Sequence, residues 1–128
     1  MRLLGIDYGQ KRIGLALGES GMVRPLSVLP NDDKVMEKIR SLCEQEKVDR
    51  IVVGVVSSLR GEINEFAQKL KEIIDLSVIF QDETLTTQKG VDKMIKSGTS
   101  QKTRRERIDA IAAAEILESY FSKGGENV

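Results

Sequence analysis

Gly5-Ile6-Asp7-Tyr8-Gly9, continued by Lys11-Arg12-Ile13-Gly14-Leu15-Ala16, is the stretch whose reading decides the fold. The apolar run Leu3-Leu4-Gly5-Ile6 predicts a strand that delivers one carboxylate, Asp7, at its end. Gly9 allows the backbone to turn, and Ile13 to Leu17 predicts a second strand leading away. Two readings of Asp7 stand at this point. It is either a turn carboxylate bonded to its own backbone, or a ligand whose charge is offset by a cation beside an apolar strand.

Working outward, Arg2–Asp7, Arg12–Gly18 and Pro25–Leu29 predict a small antiparallel meander joined by glycine-containing turns. Asn31-Asp32-Asp33 supplies a helix start, and Val35, Met36, Ile39, Leu42 and Cys43 recur at helical spacing to about Gln45. The β-branched run from Ile51 to Val56 predicts a strand buried on both faces. Ser57–Gly61 reads as a loop, and Ile63, Phe66, Ala67, Leu70, Ile73 and Ile74 as a second amphipathic helix. Val78-Ile79-Phe80 is a further strand, ending at Gln81-Asp82-Glu83. A short helix carrying Val91, Met94 and Ile95 is expected to stop near Gly98, and a last helix to run from about Arg105 to Phe121. The order β-β-β-α-β-α-β-α predicts an α/β fold: one domain over residues 1–122, a five-stranded mixed sheet flanked by helices. Residues 123–128 lack periodicity and are expected to fray.

Composition narrows the chemistry. The 128 residues include no histidine and one cysteine, Cys43. Ser–His and Cys–His pairs, imidazole acid–base catalysis and histidine zinc sites are thereby excluded. A single cysteine on an apolar helix stripe reads as a small buried hydrophobe. Lysines and arginines number 20, as do aspartates and glutamates, so net charge announces no partner. Its distribution does: Lys93, Lys96, Lys102, Arg104, Arg105 and Arg107 stand against Glu106 alone, a patch suited to phosphates. No apolar run is long enough to span a membrane, and Met1-Arg2 leads straight into a strand, so a cytoplasmic protein without membrane partners is expected.

In open α/β sheets, ligands gather at the carboxyl ends of strands. Asp7 ends the first strand, Asp82 and Glu83 end the last, and Asp109 is expected in the first turn of the final helix. There the helix N-terminus alone would favour it. Ala112-Ala113-Ala114 follows, small enough to let that helix lie close to the sheet and bring Asp109 towards the strand ends. Carboxylates from three distant segments suit hard cations such as Mg²⁺ or Mn²⁺, and two such ions roughly 3.5–4 Å apart support phosphodiester cleavage.

These motifs in this order, with Ile51-Val52-Val53-Gly54, Asp82-Glu83-Thr84-Leu85-Thr86-Thr87 and Asp109-Ala110-Ile111-Ala112-Ala113, resemble the YqgF/RuvX family over nearly the whole chain. The resemblance implies a ribonuclease H-like fold related to the resolvase RuvC, and a metal-dependent nuclease linked to 5′-end processing of precursor 16S ribosomal RNA. By motif it carries catalytic roles to Asp7, Glu83 and Asp109, and metal ligation to these and Asp82, with Glu83 favoured within its pair. It implies two Mg²⁺ or Mn²⁺ ions, and partners among precursor rRNA, branched DNA and ribosomal particles, for a monomer or homodimer. Two departures concern substrate positioning. Val55 to Glu62 lacks the family's proline and places Arg60 at its usual aspartate, and Thr84 replaces its usual arginine. Lys11, Arg12, Arg60, Lys102, Arg104 and Arg105 are the cations expected to meet nucleic acid.

Three alternatives accompany this reading. One is a Holliday junction resolvase, and another a non-catalytic RNA-binding assembly factor on the same fold. The third follows from the Asp-X-Gly turn, which also resembles the first phosphate loop of sugar kinases, actin and chaperone ATPases. That fold needs a second lobe for which 128 residues leave no room.

Overall fold

The computed structural model describes residues 1–82 and 101–123, the side chains of 101–108 excepted. Its strands are β1 (Arg2–Tyr8), β2 (Arg12–Glu19), β3 (Met22–Pro30), β4 (Arg50–Val55) and β5 (Ser77–Asp82). Its helices are α1 (Val35–Gln45), α2 (Arg60–Ile73) and α3 (Gln101–Ser122). The five strands form one sheet in the order β3-β2-β1-β4-β5. β1–β2 and β2–β3 pair antiparallel, while β1–β4 and β4–β5 pair parallel, the mixed sheet expected from the element order.

Strand parity divides the core in two. On one face Leu4, Ile6, Ile13, Leu15, Ile51 and Val53 pack against Ile39 of α1 and Phe66 and Leu70 of α2. On the other, Leu3, Ala16 and Val52 meet Ala113, Ile116 and Leu117 of α3. Large branched side chains thus fill the first face, and small residues admit a helix closely on the second.

Three boundaries differ from expectation by more than a residue, each for a local reason. β3 starts at Met22 rather than Pro25, because Ser20 and Gly21, at φ 54° and 80°, reverse the chain so tightly that Glu19 pairs with Met22. Pro25 lies inside this edge strand beside a register irregularity at Leu15/Ala16, where its missing N–H is tolerated. Ser57–Leu59 is a 3₁₀ turn that runs directly into α2 at Arg60, not a loop to Gly61. Finally, α3 begins at Gln101 rather than near Arg105. Its opening turns are polar and carry no apolar stripe to reveal them. Asp109 therefore sits about two turns inside the helix, beyond reach of the N-terminal dipole. The short helix expected around Val91, Met94 and Ile95, and the tail at 124–128, lie outside the described residues; Lys123 still donates to the Ser119 carbonyl at 3.0 Å.

Candidate active site

Asp7 is a residue of β1, opposite Gly14 of β2 in the antiparallel ladder, and so belongs to the strand rather than the turn. Parity turns it to the face that carries Leu3 and Gly5, the face covered by α3. What brings α3 there is the absence of side chains beneath it. A Cβ on Gly14 would stand 2.0 Å from the Asp109 carbonyl oxygen, and one on Gly5 would stand 2.9 Å from that of Ala113. Backbone touches backbone at both places, so nothing larger than glycine fits. Asp109 is thereby held over the strand partner of Asp7. Two carboxylates from opposite ends of the sequence share one face at the end of β1.

Arg12 joins them. It precedes Gly14 by two residues, so it shares that face, and its Nε donates to Asp109 Oδ2 at 2.6 Å. Both side chains keep access to solvent, at 38% exposure for Arg12 and 21% for Asp109. Lys11 is exposed beside the β1–β2 turn. Gly9 in that turn is needed for close approach, since a Cβ there would meet the Arg12 carbonyl oxygen at 2.5 Å. Lys102, Arg104 and Arg105 occupy the turns of α3 before Asp109, with side chains outside the described residues.

Asp82 is placed elsewhere. It pairs in register with Val55, whose side chain lies in the α1/α2 core, and Arg60 Nη2 of α2 approaches its Oδ1 at 3.8 Å. The structure thus separates Asp82 and Arg60 from Asp7, Arg12 and Asp109 by the thickness of the sheet. Glu83 and Thr84 lie outside the described residues. Among the described residues, no three acidic or cysteine side chains gather closely enough to hold a metal ion. The Asp7–Asp109 face offers two hard oxygen donors, with donor chemistry that fits Mg²⁺ or Mn²⁺ and a third ligand still to be supplied.

Sequence reasoning did not single out Glu62. In the first turn of α2 it accepts from Gln10 Nε2 at 3.0 Å and from the Tyr8 hydroxyl at 3.4 Å, tying both sides of the Gly9 turn to the helix. The Tyr8 ring packs on Phe66, with centroids 5.1 Å apart. Tyr8, Glu62 and Phe66 line a cleft of about 400 Å³ with Asp32, Asp33, Glu65 and Lys69, where four carboxylates against one ammonium disfavour phosphate. The only signal for this role was the place of Glu62 one residue after Gly61, in the altered segment. Cys43 is buried as expected, and its thiol is pushed up to about 11, first by burial and then by the Glu44 carboxylate. It has no nucleophilic role at neutral pH.

A mixed sheet in the order β3-β2-β1-β4-β5 with helices on both faces is the architecture of the ribonuclease H-like class. Among solved structures, the fold matches Holliday-junction-bound RuvC of T. thermophilus, with TM-score 0.58 and 13% identity over 97% of this chain and 96% of that one. It also matches the Fowlpox virus resolvase bound to Holliday junction DNA, with TM-score 0.59 and 12% identity over 94% and 99%. The chain belongs to the RuvX family, described as Holliday junction resolvase, whose family model matches residues 1–123. Curated relatives carry the description "Putative pre-16S rRNA nuclease". One from Sulfurihydrogenibium sp. is 35% identical, covering 95% of this chain and 90% of that one. Another from Syntrophomonas wolfei is 33% identical over 97% and 96%. The family resemblance read from the motifs is thus confirmed. No described helix is long and apolar enough to cross a membrane.

Proposed function

We propose that this chain hydrolyses phosphodiester bonds at the 5′ side of precursor 16S ribosomal RNA, acting on immature ribosomal particles in the cytoplasm with Mg²⁺ or Mn²⁺. The observation that supports it most is the placement of Asp7 and Asp109 on one face of the sheet, with Asp109 seated over Gly14. Asp7, Asp109 and Glu83 are the residues that would hold the metal; Asp82, paired with Arg60 on the opposite face, is assigned no part in it. When bound, two such ions activate a water and stabilise the leaving oxygen. The chain's own residues set the substrate in place. Lys11 at the β1–β2 turn, and the basic run Lys102, Arg104 and Arg105 that precedes Asp109 in the sequence of α3, are the cations that would meet substrate phosphates.

The family's description as a Holliday junction resolvase favours a second substrate, branched DNA. Cutting two strands of a junction calls for a symmetric pair of subunits, whereas trimming one RNA strand does not. Both are tested together: precursor 16S rRNA and a four-way DNA junction, each incubated with Mn²⁺ and wild type, Asp7→Asn or Asp109→Asn. Wild type trims the rRNA, and each variant loses about 100-fold or more in rate, because the charge stabilisation supplied through these ligands amounts to several kcal/mol. Junction cleavage without rRNA cleavage would move the activity to recombination. Undiminished cleavage by either variant would remove the carboxylate site.

A further inference from the structure

We propose that Arg12 is a latch on Asp109: it neutralises this carboxylate while the site is without metal, and yields it to the entering divalent ion. Released, the guanidinium turns to a phosphate of the substrate. This rests on the metal site proposed above and adds a competing, internal cation to it.

Three observations meet here. Arg12 Nε and Asp109 Oδ2 are 2.6 Å apart, a close charge-assisted contact between residues 97 positions apart in sequence. Asp109 lies over the strand partner of Asp7 on the same face of the sheet, so a cation drawn to that face would meet a carboxylate that Arg12 already holds. Arg12 is 38% exposed, so the contact is screened and its side chain has open solvent into which to move. An ion pair whose arginine is 38% and whose aspartate is 21% exposed is partly screened and open to displacement, and a divalent ion offers Asp109 twice the charge. Departure of the guanidinium costs little because Arg carries donors in a fork that matches phosphate as well as it matches carboxylate. Metal occupancy and phosphate capture are thereby coupled through one side chain.

A purely structural pin between β2 and α3 would behave in the opposite sense, which makes the idea testable. The experiment titrates Mn²⁺ calorimetrically into the full chain, comparing wild type, Arg12→Gln, Arg12→Lys and Asp109→Asn, with melting temperatures recorded without metal and at saturation. Removing the competitor raises the fraction of protein ready for metal, so Arg12→Gln binds Mn²⁺ about three- to fivefold more tightly than wild type. Arg12→Lys, which keeps the charge without the fork, falls between them. In the Asp109→Asn background, Arg12→Gln brings no gain. At saturating Mn²⁺, Arg12→Gln also binds single-stranded RNA more weakly, with a salt slope smaller by about one.

Equal or weaker Mn²⁺ binding by Arg12→Gln, with wild-type binding that still depends on Asp109, overturns the latch and leaves the metal site standing. Should the glutamine variant fold poorly, Arg12→Lys decides in its place: tighter binding than wild type supports the latch, and equal or weaker binding overturns it. Wild-type binding that does not depend on Asp109 takes the site and the latch down together.

Discussion

The two faces of the sheet are built on opposite plans. Under α1 and α2 the strands present Leu4, Ile6, Ile13 and Leu15, fully buried and large; under α3 they present Gly5, Gly14, Ala16 and Gly54. The first face gains stability from apolar area and the second gains proximity, since main-chain atoms of α3 rest almost on the sheet. The difference teaches where to look for function. The face that gives up packing volume is the one that brings Arg12, Asp7 and Asp109 together.

The comparison is sharpest where stability and activity part company. Ile6→Ala, on the large-residue face, is expected to cost about 3–4 kcal/mol of unfolding free energy, because a fully buried side chain leaves a cavity. Cleavage per folded molecule should persist, and denaturant unfolding alongside a rate assay below the transition checks both. A comparable loss of both would mean that the faces are not separable. Gly14→Ala is expected to cost less, about 2–3 kcal/mol, yet to abolish cleavage. Its methyl meets the Asp109 carbonyl, which no rotamer change can relieve, so α3 must lift. Retained activity would mean that Asp109 need not sit over β2.

The smallest effect concerns Cys43, within the apolar face. Its thiol titrates at about 11 in the folded chain against an ordinary value of 9.0, so the unfolded chain releases its proton first and stability falls as pH rises from about 9. Below pH 9 the group contributes no slope. Alkylation at about pH 8 should therefore track opening of the fold rather than thiolate chemistry, and Cys43→Ala should remove that part of the alkaline slope.

The strands were legible because a run such as Ile51 to Val55 has one economical solution, burial on both faces, and because Asp7 and Asp109 each sit beside apolar periodicity. What parity decides was harder to read. Assigning Asp82 to the α2 face requires its register with Val55, a non-local fact that no window of sequence contains. The pairing of Arg12 with Asp109 is equally hidden in sequence, where each suits a separate partner, phosphate for one and metal for the other. In sequence the glycines read as turns and motif letters, whereas in the fold Gly14 and Gly5 act by what they leave out.

Closing β1 onto β2 takes only a short local hairpin, but completing the site takes α3, whose Asp109 stands 97 residues beyond Arg12. During synthesis, Asp7 and Arg12 emerge first and wait, with Gly5 and Gly14 bare, until the last helix docks. A half-made chain therefore carries only one of the two carboxylates that share this face, so the proposed site stays incomplete for as long as the chain is being translated.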